Sequence, residues 1–440
     1  MLAVIDANNF YVTAEVVMRP ALRGHPVIVL SNNDGCAISR SEEAKALGVK
    51  MGQPLFQLRD LVQHKGLIAL SANFEYYGDM SDRLMSLAAG LGPTQEIYSI
   101  DESWIGDLQG VRNLTQRAWA IRSRILQWIG LPTGIGLAPS KTLAKLCNHA
   151  AKSADRKPGS YPAALAKVCN WQDLDAGGQR ELLQATGIAD IWGIGRKLAP
   201  QLAEQGYLTA LDVANMPASH ARNQWGVTME RTVHELNGIS CIPLELNPPA
   251  KQQIAVTRSF GHPILSLPPL LEAVSTFAST AAEKLRKAGL RASAVMVFIR
   301  TSPFRDGERF YRTTVLQLNP PSSDTKQIVN TAVHGLKSIY EPGHDLAKAG
   351  VILLDLAPVG QVQLDLLATP SKRDQSALME VVDQVNGRFG RGAIHLASTG
   401  QSQHQQAGFA GFEEGGWRSK QSLRTPRYTT RLEEIPTARA

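Results

Sequence analysis

The chain has 440 residues, 43% hydrophobic and 19% charged, with a net charge of +7 and an isoelectric point near 9.2, which excludes a disordered chain and suits a polyanionic partner; the length allows about three domains. Cys36, Cys147, Cys169 and Cys241 lack CxxC spacing, which argues against a disulfide framework or zinc site and for a reducing cytosol. No apolar run approaches the ~20 residues of a membrane helix, and MLAVI lacks a basic leader and is too short for a signal sequence, so a soluble, cytoplasmic protein without a membrane partner is expected.

Along the chain, MLAVID predicts a first strand running into a helix-prone stretch near Ala14 to Met18. HPVIVLSN reads as a second strand, followed by a glycine-containing turn and a helix in SRSEEAKALG. EIYSID and ESWIGDL read as strands separated by an acidic turn. RNLTQRAWAIRSRILQWIG has helical spacing, with Leu114, Ala118, Ile121, Ile125 and Trp128 as its buried stripe. LPTGIGLAP is a strand that ends in a helix starting near Pro139. From about residue 166 to 240 the pattern is helical and short-looped, and LELNPPAKQQ reads as a linker. Beyond it, IAVTRSF, LLEAVSTFASTAAEKLRKAG, RASAVMVFIR, RFYRTTVLQL, TKQIVNTAVHGLKSIY and AGVILLDLA follow a β-α-β-β-α-β order, which suits a four-stranded sheet backed by two helices. Residues 251–358 hold 13 Lys and Arg against 8 Asp and Glu, the footprint of a nucleic-acid-binding module. One more helix is predicted in SALMEVVDQVNGRFG, and Gln401, Gln403 and Gln405 mark a polar tail.

Three acidic residues carry the chemistry. Asp6 at the mouth of the first strand, facing Asp101 and Glu102 at a strand turn, could hold two divalent cations side by side, as phosphoryl transfer requires. Taken singly, each fits a turn or a solvated pair at least as well. Lys141, Lys145, Asn148 and Lys152 recur at helical spacing on one face, while Leu143, Leu146 and Ala150 lie elsewhere, free to pack. A solvated stripe is the commonest explanation of such a pattern. GLAPSKT lacks the glycine before Lys141 and the loop length of a phosphate-binding Walker loop, which excludes that reading. Trp192 to Arg196 reads as a glycine turn whose amides can approach a phosphate, with a plain connector as the alternative.

In order along the chain, DANNFY, SNNDGCAISRSEEAKALGVKMG, SIDE, GIGLAPSKTLAKLCNHAAK and IWGIGRK resemble the Y-family of translesion DNA polymerases, and within it the UmuC type; SPF, QLDLL and TPRYTTR fit that type too. The resemblance implies an α+β, multidomain right hand. Its parts are a palm (1–22 and 79–165), small fingers (23–78), a helical thumb with a helix-hairpin-helix (166–240) and a βαββαβ little finger (251–358). The tail (359–440) would carry a clamp-binding-like peptide and a UmuC-type terminal segment. Asp6, Asp101 and Glu102 are implied as catalytic residues that, with the Ala7 carbonyl, bind two Mg²⁺ ions. Phe10 and Tyr11 would border the nucleotide, with Tyr11 as a steric gate against a 2′-hydroxyl; from its position alone, a core aromatic fits better. Ser39, Lys45 and Lys152 are implied as triphosphate contacts, with Lys141, Lys145 and Asn148 left as DNA-facing candidates.

The family often has Tyr and Arg in the fingers helix where Glu42 and Lys45 stand, so Lys45 keeps the charge without the guanidinium fork. Small residues Gly35 and Ala37 beside Ile38 are consistent with a roomy site over the nascent pair. Gly193, Gly195, Arg196 and Lys197 are implied as DNA-backbone contacts. Gln363, Leu364, Leu366 and Leu367 resemble a sliding-clamp peptide, though Leu367 replaces the usual aromatic and an ordinary strand exit fits equally well. The implied function is error-prone translesion synthesis in the SOS response on primer–template DNA with deoxynucleoside triphosphates. A processed UmuD-like dimer, a RecA filament and the sliding clamp are the implied protein partners. Rival readings are a non-catalytic DNA-binding scaffold with a dead palm and a two-metal nuclease or cyclase.

Overall fold

The computed structural model describes residues 1–304, 309–360, 375–390, 392–400 and 421–437. Gln363, Leu364, Leu366, Leu367, Gln401, Gln403 and Gln405 lie outside the described residues. The chain divides into two compact units, one comprising Met1–Ser31, Gly35–Pro248 and Leu423–Ala440, the other Asn32–Asp34 and Pro249–Ser422.

The first unit begins with β1 (Leu2–Ala7) and α1 (Phe10–Met18). The helix starts earlier than the expected Ala14 because Asn9 adopts the left-handed conformation (φ 48°, ψ 45°) that asparagine tolerates, reversing the chain directly after the strand. Then come β2 (Val27–Leu30), β3 (Ala37–Arg40), α2 (Glu42–Ala46), α3 (Arg59–His64), β4 (Ile68–Ser71) and α4 (Phe74–Ala88). Ser39 and Arg40, expected in a helix, belong to β3; the helix is only α2, begun by Ser41, whose hydroxyl accepts the Ala44 N–H at 3.1 Å. The three strands form a small sheet ordered β3-β2-β4.

A larger sheet follows from β5 (Thr94–Ile97), β6 (Glu102–Gly106), β7 (Thr133–Ala138) and β8 (Val168–Asn170), with α5 (Leu114–Ile129) and α6 (Lys141–Arg156) between them. Its order is β5-β6-β1-β7-β8, so β1 is central and antiparallel to both neighbours. Its side chains alternate between two cores. Ala3, Ile5 and Ala7 join residues of α4 and α5, whereas Leu2 and Val4 join Trp104 and the apolar residues of α6. The α5 stripe buries Leu114, Ala118, Ile121 and Ile125 as expected, but Trp128 is 66% exposed and lies under Arg124, 5.5 Å from the guanidinium. Five helices complete the unit: α7 (Ala176–Ala185), α8 (Leu198–Glu204), α9 (Ala210–Ala214), α10 (Ala218–Trp225) and α11 (Val227–Leu236).

The second unit has the expected order: β9 (Ile254–Ile264), α12 (Leu267–Lys287), β10 (Leu290–Thr301), β11 (Tyr311–Ser322), α13 (Thr325–Ile339) and β12 (Leu346–Pro358). The strands pair antiparallel as β11-β10-β12-β9, and Val295, Val297, Val351 and Leu353 share one core with Phe277, Leu285, Ile328 and Leu336 of the two helices. The helix expected in SALMEVVDQVNGRFG is α14 (Ser376–Phe389), whose Asp383 receives two 2.7 Å bonds from the Arg286 guanidinium. No helix among the described residues is long and apolar enough to cross a membrane.

Candidate active site

The face of the larger sheet that meets α6 carries a checkerboard of charge. Asp6 of β1 pairs in register with Glu102 of β6, and Glu96 of β5 pairs with Trp104. On β7 the residues opposite Val4 and Asp6 are Gly136 and Gly134. A Cβ at Gly136 would lie 2.1 Å from the Ala144 carbonyl oxygen and 2.4 Å from the Asn148 nitrogen; one at Gly134 would lie 2.7 Å from Lys152 Cγ. The two glycines therefore let α6 settle almost onto the sheet backbone, which brings its basic side chains within reach of the acidic ones.

Lys152 ion-pairs with Asp6, Lys145 with Glu102, and Lys141 with Glu96 at 2.6 Å. Lys141, Lys145 and Asn148 were candidates for DNA-facing charge. The structure corrects this: Lys141 and Asn148 are 2% exposed, and Lys145 is held on Glu102. Lys141, with a side-chain exposure of 3%, belongs to the fold's interior, and Lys145 is half-buried against Glu102.

Asp101 precedes β6 and accepts a 2.6 Å bond from the Ser99 hydroxyl, while its own carbonyl accepts the Ala7 N–H at 2.9 Å. Burial holds the Asp101 carboxyl above its ordinary range; Ser99 and Lys152 oppose this, and the Asp6 charge adds to it. Burial, then Asp6 within hydrogen-bonding reach, push Glu102 up to about 7 against the pull of Lys145. Among the described residues no three His, Cys, Asp or Glu side chains already form a closed ligand cluster. The donor set still suits a hard divalent cation: oxygen ligands only, crowded and partly dehydrated, so that a cation between them relieves carboxylate repulsion.

A cleft of about 270 Å³ opens beside these carboxylates, with Asp6, Ala7 and Asp101 at one end. Phe10 and Tyr11 form one wall, and Tyr11 stacks on Tyr77 with ring centroids 4.7 Å apart. Ser39, Arg40, Lys45, Lys152 and Arg156 supply its polar and cationic lining together with Asn9. Ser39 Oγ accepts the Val12 N–H at 3.3 Å and donates to the Asn9 carbonyl at 3.2 Å, tying the small sheet to the start of α1. Lys45 donates to Asn9 Oδ1 and Glu42 Oε1, each at 2.8 Å, and Arg156 lies 3.5 Å from the same Glu42 oxygen. Glu42 thus pairs with two of the cleft's cations, Lys45 and Arg156.

The sequence reading missed Asn9, Arg40 and Arg156 in this cleft. Arg156 had a signal, since it continues the four-residue step from Lys152; Asn9 and Arg40 had none beyond their neighbours. Gly193, Gly195, Arg196 and Lys197 lie together in an exposed turn before α8, with Gly193 at φ 94° and Ile194 buried as its anchor.

A family model described as the impB/mucB/samB family matches residues 5–149, the C-terminal domain model of that family matches 251–366, and a domain of unknown function matches 376–438. Protein UmuC of Salmonella typhimurium is 40% identical over 440 residues, 99% of each chain. Protein MucB of Escherichia coli is 36% identical, covering 100% of this chain and 99% of its own. DNA polymerase IV of Moorella thermoacetica is 27% identical over 89% of this chain and 94% of its own. Among solved structures, a Y-family DNA polymerase chimera of Dbh and Dpo4 superposes with a TM-score of 0.61 at 18% identity, covering 81% of this chain and all of that one, which shows a shared fold.

Proposed function

Because the chain belongs to the impB/mucB/samB family and is a Y-family DNA-directed DNA polymerase, we propose that it performs error-prone translesion synthesis in the SOS response. The observation that carries the site assignment is the register match of Asp6 with Glu102, beside Asp101, at the end of a cleft lined by four cationic side chains. In the right-hand scheme the palm is 1–22 and 79–165, the fingers 23–78, the thumb 166–240 and the little finger 251–358.

A primer 3′-hydroxyl gives its proton to water and its oxygen forms a bond to the α-phosphorus of a deoxynucleoside triphosphate; the bond from the α-phosphorus to the bridging oxygen breaks and pyrophosphate leaves with that oxygen. Asp6, Asp101, Glu102 and the Ala7 carbonyl would hold two Mg²⁺, which when bound lower the pKa of the attacking hydroxyl and neutralise the leaving group. Lys152 and Arg156 from α6, with Ser39, Arg40 and Lys45 from the small sheet and its helix, supply charge and donors along the triphosphate. The Tyr11 ring, braced from behind by Tyr77, forms the wall that a 2′-hydroxyl would strike. Gly193, Gly195, Arg196 and Lys197 offer exposed amides and cations to the DNA backbone without reading bases. A processed UmuD-like dimer and a RecA filament are the proposed accessory partners, with Gln363, Leu364, Leu366 and Leu367 as the contact to the sliding clamp.

The decisive experiment is primer extension past an abasic site with Mg²⁺, a processed UmuD-like dimer and RecA filament, comparing the intact chain with Asp101→Asn. Extension abolished in the variant supports the site. Equal extension by both would remove it, and equal DNA binding without extension by either would favour the scaffold reading.

A further inference from the structure

The terminal stretch beginning at Leu423 packs into the same unit as β1 and α1. Its backbone zips onto β4: the Leu423 N–H donates to Ser71 Oγ and the Ser71 N–H to the Leu423 carbonyl, both at 3.0 Å. Asn73 Nδ2 then donates to Thr425 Oγ1 at 3.1 Å and to the Pro426 carbonyl at 2.7 Å. Tyr428 is 2% exposed and meets Tyr76 edge-on at 5.1 Å, and the Thr429 hydroxyl donates to Asp79 at 2.6 Å.

This docking ends on one carboxylate. Glu15, in α1, is completely buried. Its Oε1 accepts two hydrogen bonds, from the Tyr77 hydroxyl at 2.8 Å and from the Thr425 hydroxyl at 3.0 Å. Its Oε2 is buried and makes no bond among the described residues. A carboxylate so far from water stays put only while donors hold it. Glu15 lies four residues after Tyr11, on the same face of α1. The ring that Glu15 fixes by its hydroxyl, Tyr77, is the one on which Tyr11 stacks. A run of direct contacts therefore leads from Thr425 through Glu15 and Tyr77 to Tyr11.

We propose that the segment Leu423–Thr430 is a positioning element for sugar selection, holding the Tyr11 wall through Thr425, Glu15 and Tyr77. The proposal rests on Tyr11 excluding the 2′-hydroxyl, as argued above, and adds that the rigidity of this exclusion is supplied from the far end of the sequence. A 2′-hydroxyl is refused only if the Tyr11 ring cannot yield. Removing the Thr425 hydroxyl leaves Glu15 with one donor, frees the Tyr77 hydroxyl to follow the carboxylate, and loosens the surface behind Tyr11. Thr425, Glu15 and Tyr77 are not among the residues that line the cleft, so they are positioning residues.

The test measures kcat/KM for a deoxynucleotide and its ribonucleotide counterpart opposite the same template base. It uses the full chain with its accessory dimer and RecA filament. Thr425→Val, which keeps the shape but loses the hydroxyl, should shift the ratio towards the ribonucleotide by roughly threefold or more while retaining deoxynucleotide extension. Thr425→Ser should restore the parent ratio. Tyr77→Phe, which severs the next link without touching the tail, should reproduce the Thr425→Val shift and serves if that variant does not fold. Tyr11→Ala is run alongside. If it leaves the ratio unchanged, the gate assignment itself fails. If Tyr11→Ala relaxes selection while Thr425→Val and Tyr77→Phe leave the ratio unmoved, or slow both sugars equally, the positioning role is overturned. A Ser variant as permissive as Val would overturn it as well.

Discussion

Lys141→Met tests whether the α6 stripe serves the interior. The parent ammonium lies 2.6 Å from Glu96 Oε2, with side-chain exposures of 3% and 7%, and 5.3 Å from the centre of the Trp104 ring. Glu96 Oε2 also accepts the Glu245 N–H at 2.9 Å. Methionine fills the volume but abandons a buried carboxylate with one backbone donor, a situation that costs about 3–5 kcal/mol. For a unit of this size that loss corresponds to a fall in Tm of roughly 6–20 °C. Adding Glu96→Gln removes the stranded charge and keeps an acceptor for Glu245, so the double variant should recover most of the loss, ending within about 2 kcal/mol of the parent. Thermal unfolding followed by circular dichroism on the parent, both single variants and the double variant closes the cycle. A loss below about 1 kcal/mol for Lys141→Met, typical of solvated pairs, would refute the reasoning; so would a double variant no more stable than the single.

Gly136→Ala should lower Tm and primer extension together, because the new methyl meets the backbone of α6 and lifts it; about 1–3 kcal/mol is expected in thermal melts. Gly78→Ala, inside α4 with open space around the new methyl, should instead raise stability by roughly 0.5–1 kcal/mol; a fall there would contradict the packing described. Tyr11→Ala should raise ribonucleotide incorporation in single-nucleotide assays, and unchanged sugar selectivity would remove its role as a wall. Burial holds the Glu15 carboxyl above its ordinary 4.5, more than its bonds to Tyr77 and Thr425 lower it. The stability tied to its proton is therefore full below that ordinary value and is lost as pH rises through the raised one. Glutamine does not titrate, so the Tm of Glu15→Gln relative to the parent should climb as pH rises above the ordinary 4.5; a constant offset would falsify the assignment.

Much of this architecture is readable from local pattern. The alternation in LAVIDA puts Asp6 on the same side as Leu2 and Val4, and the β-α-β-β-α-β order needs only element lengths and period. What misled was the face of α6. Lys141 and Lys145 look like a solvated stripe because buried lysines are rare, and the contrary sign lies in the preceding strand, TGIGLA. There the alternating Gly134 and Gly136 leave the room into which α6 settles. Trp128 was misassigned for the opposite reason: helical period alone does not tell a core position from one covered by a stacked arginine. The Thr425–Glu15 contact spans 410 positions and has no local signature, since a threonine in a polar stretch and a glutamate in a short helix both read as surface.

Tyr428 belongs to the same core as Ala3, Ile5 and Phe10. During synthesis the first strand therefore waits for a partner that leaves the ribosome roughly 20–85 s later at ordinary elongation rates. Throughout that interval Tyr76 and Glu15 lack their cover, so the nascent first unit is an open structure for chaperones and proteases to act on. A chain halted before Thr425 would carry Asp6, Asp101 and Glu102 on a core that still lacks Tyr428.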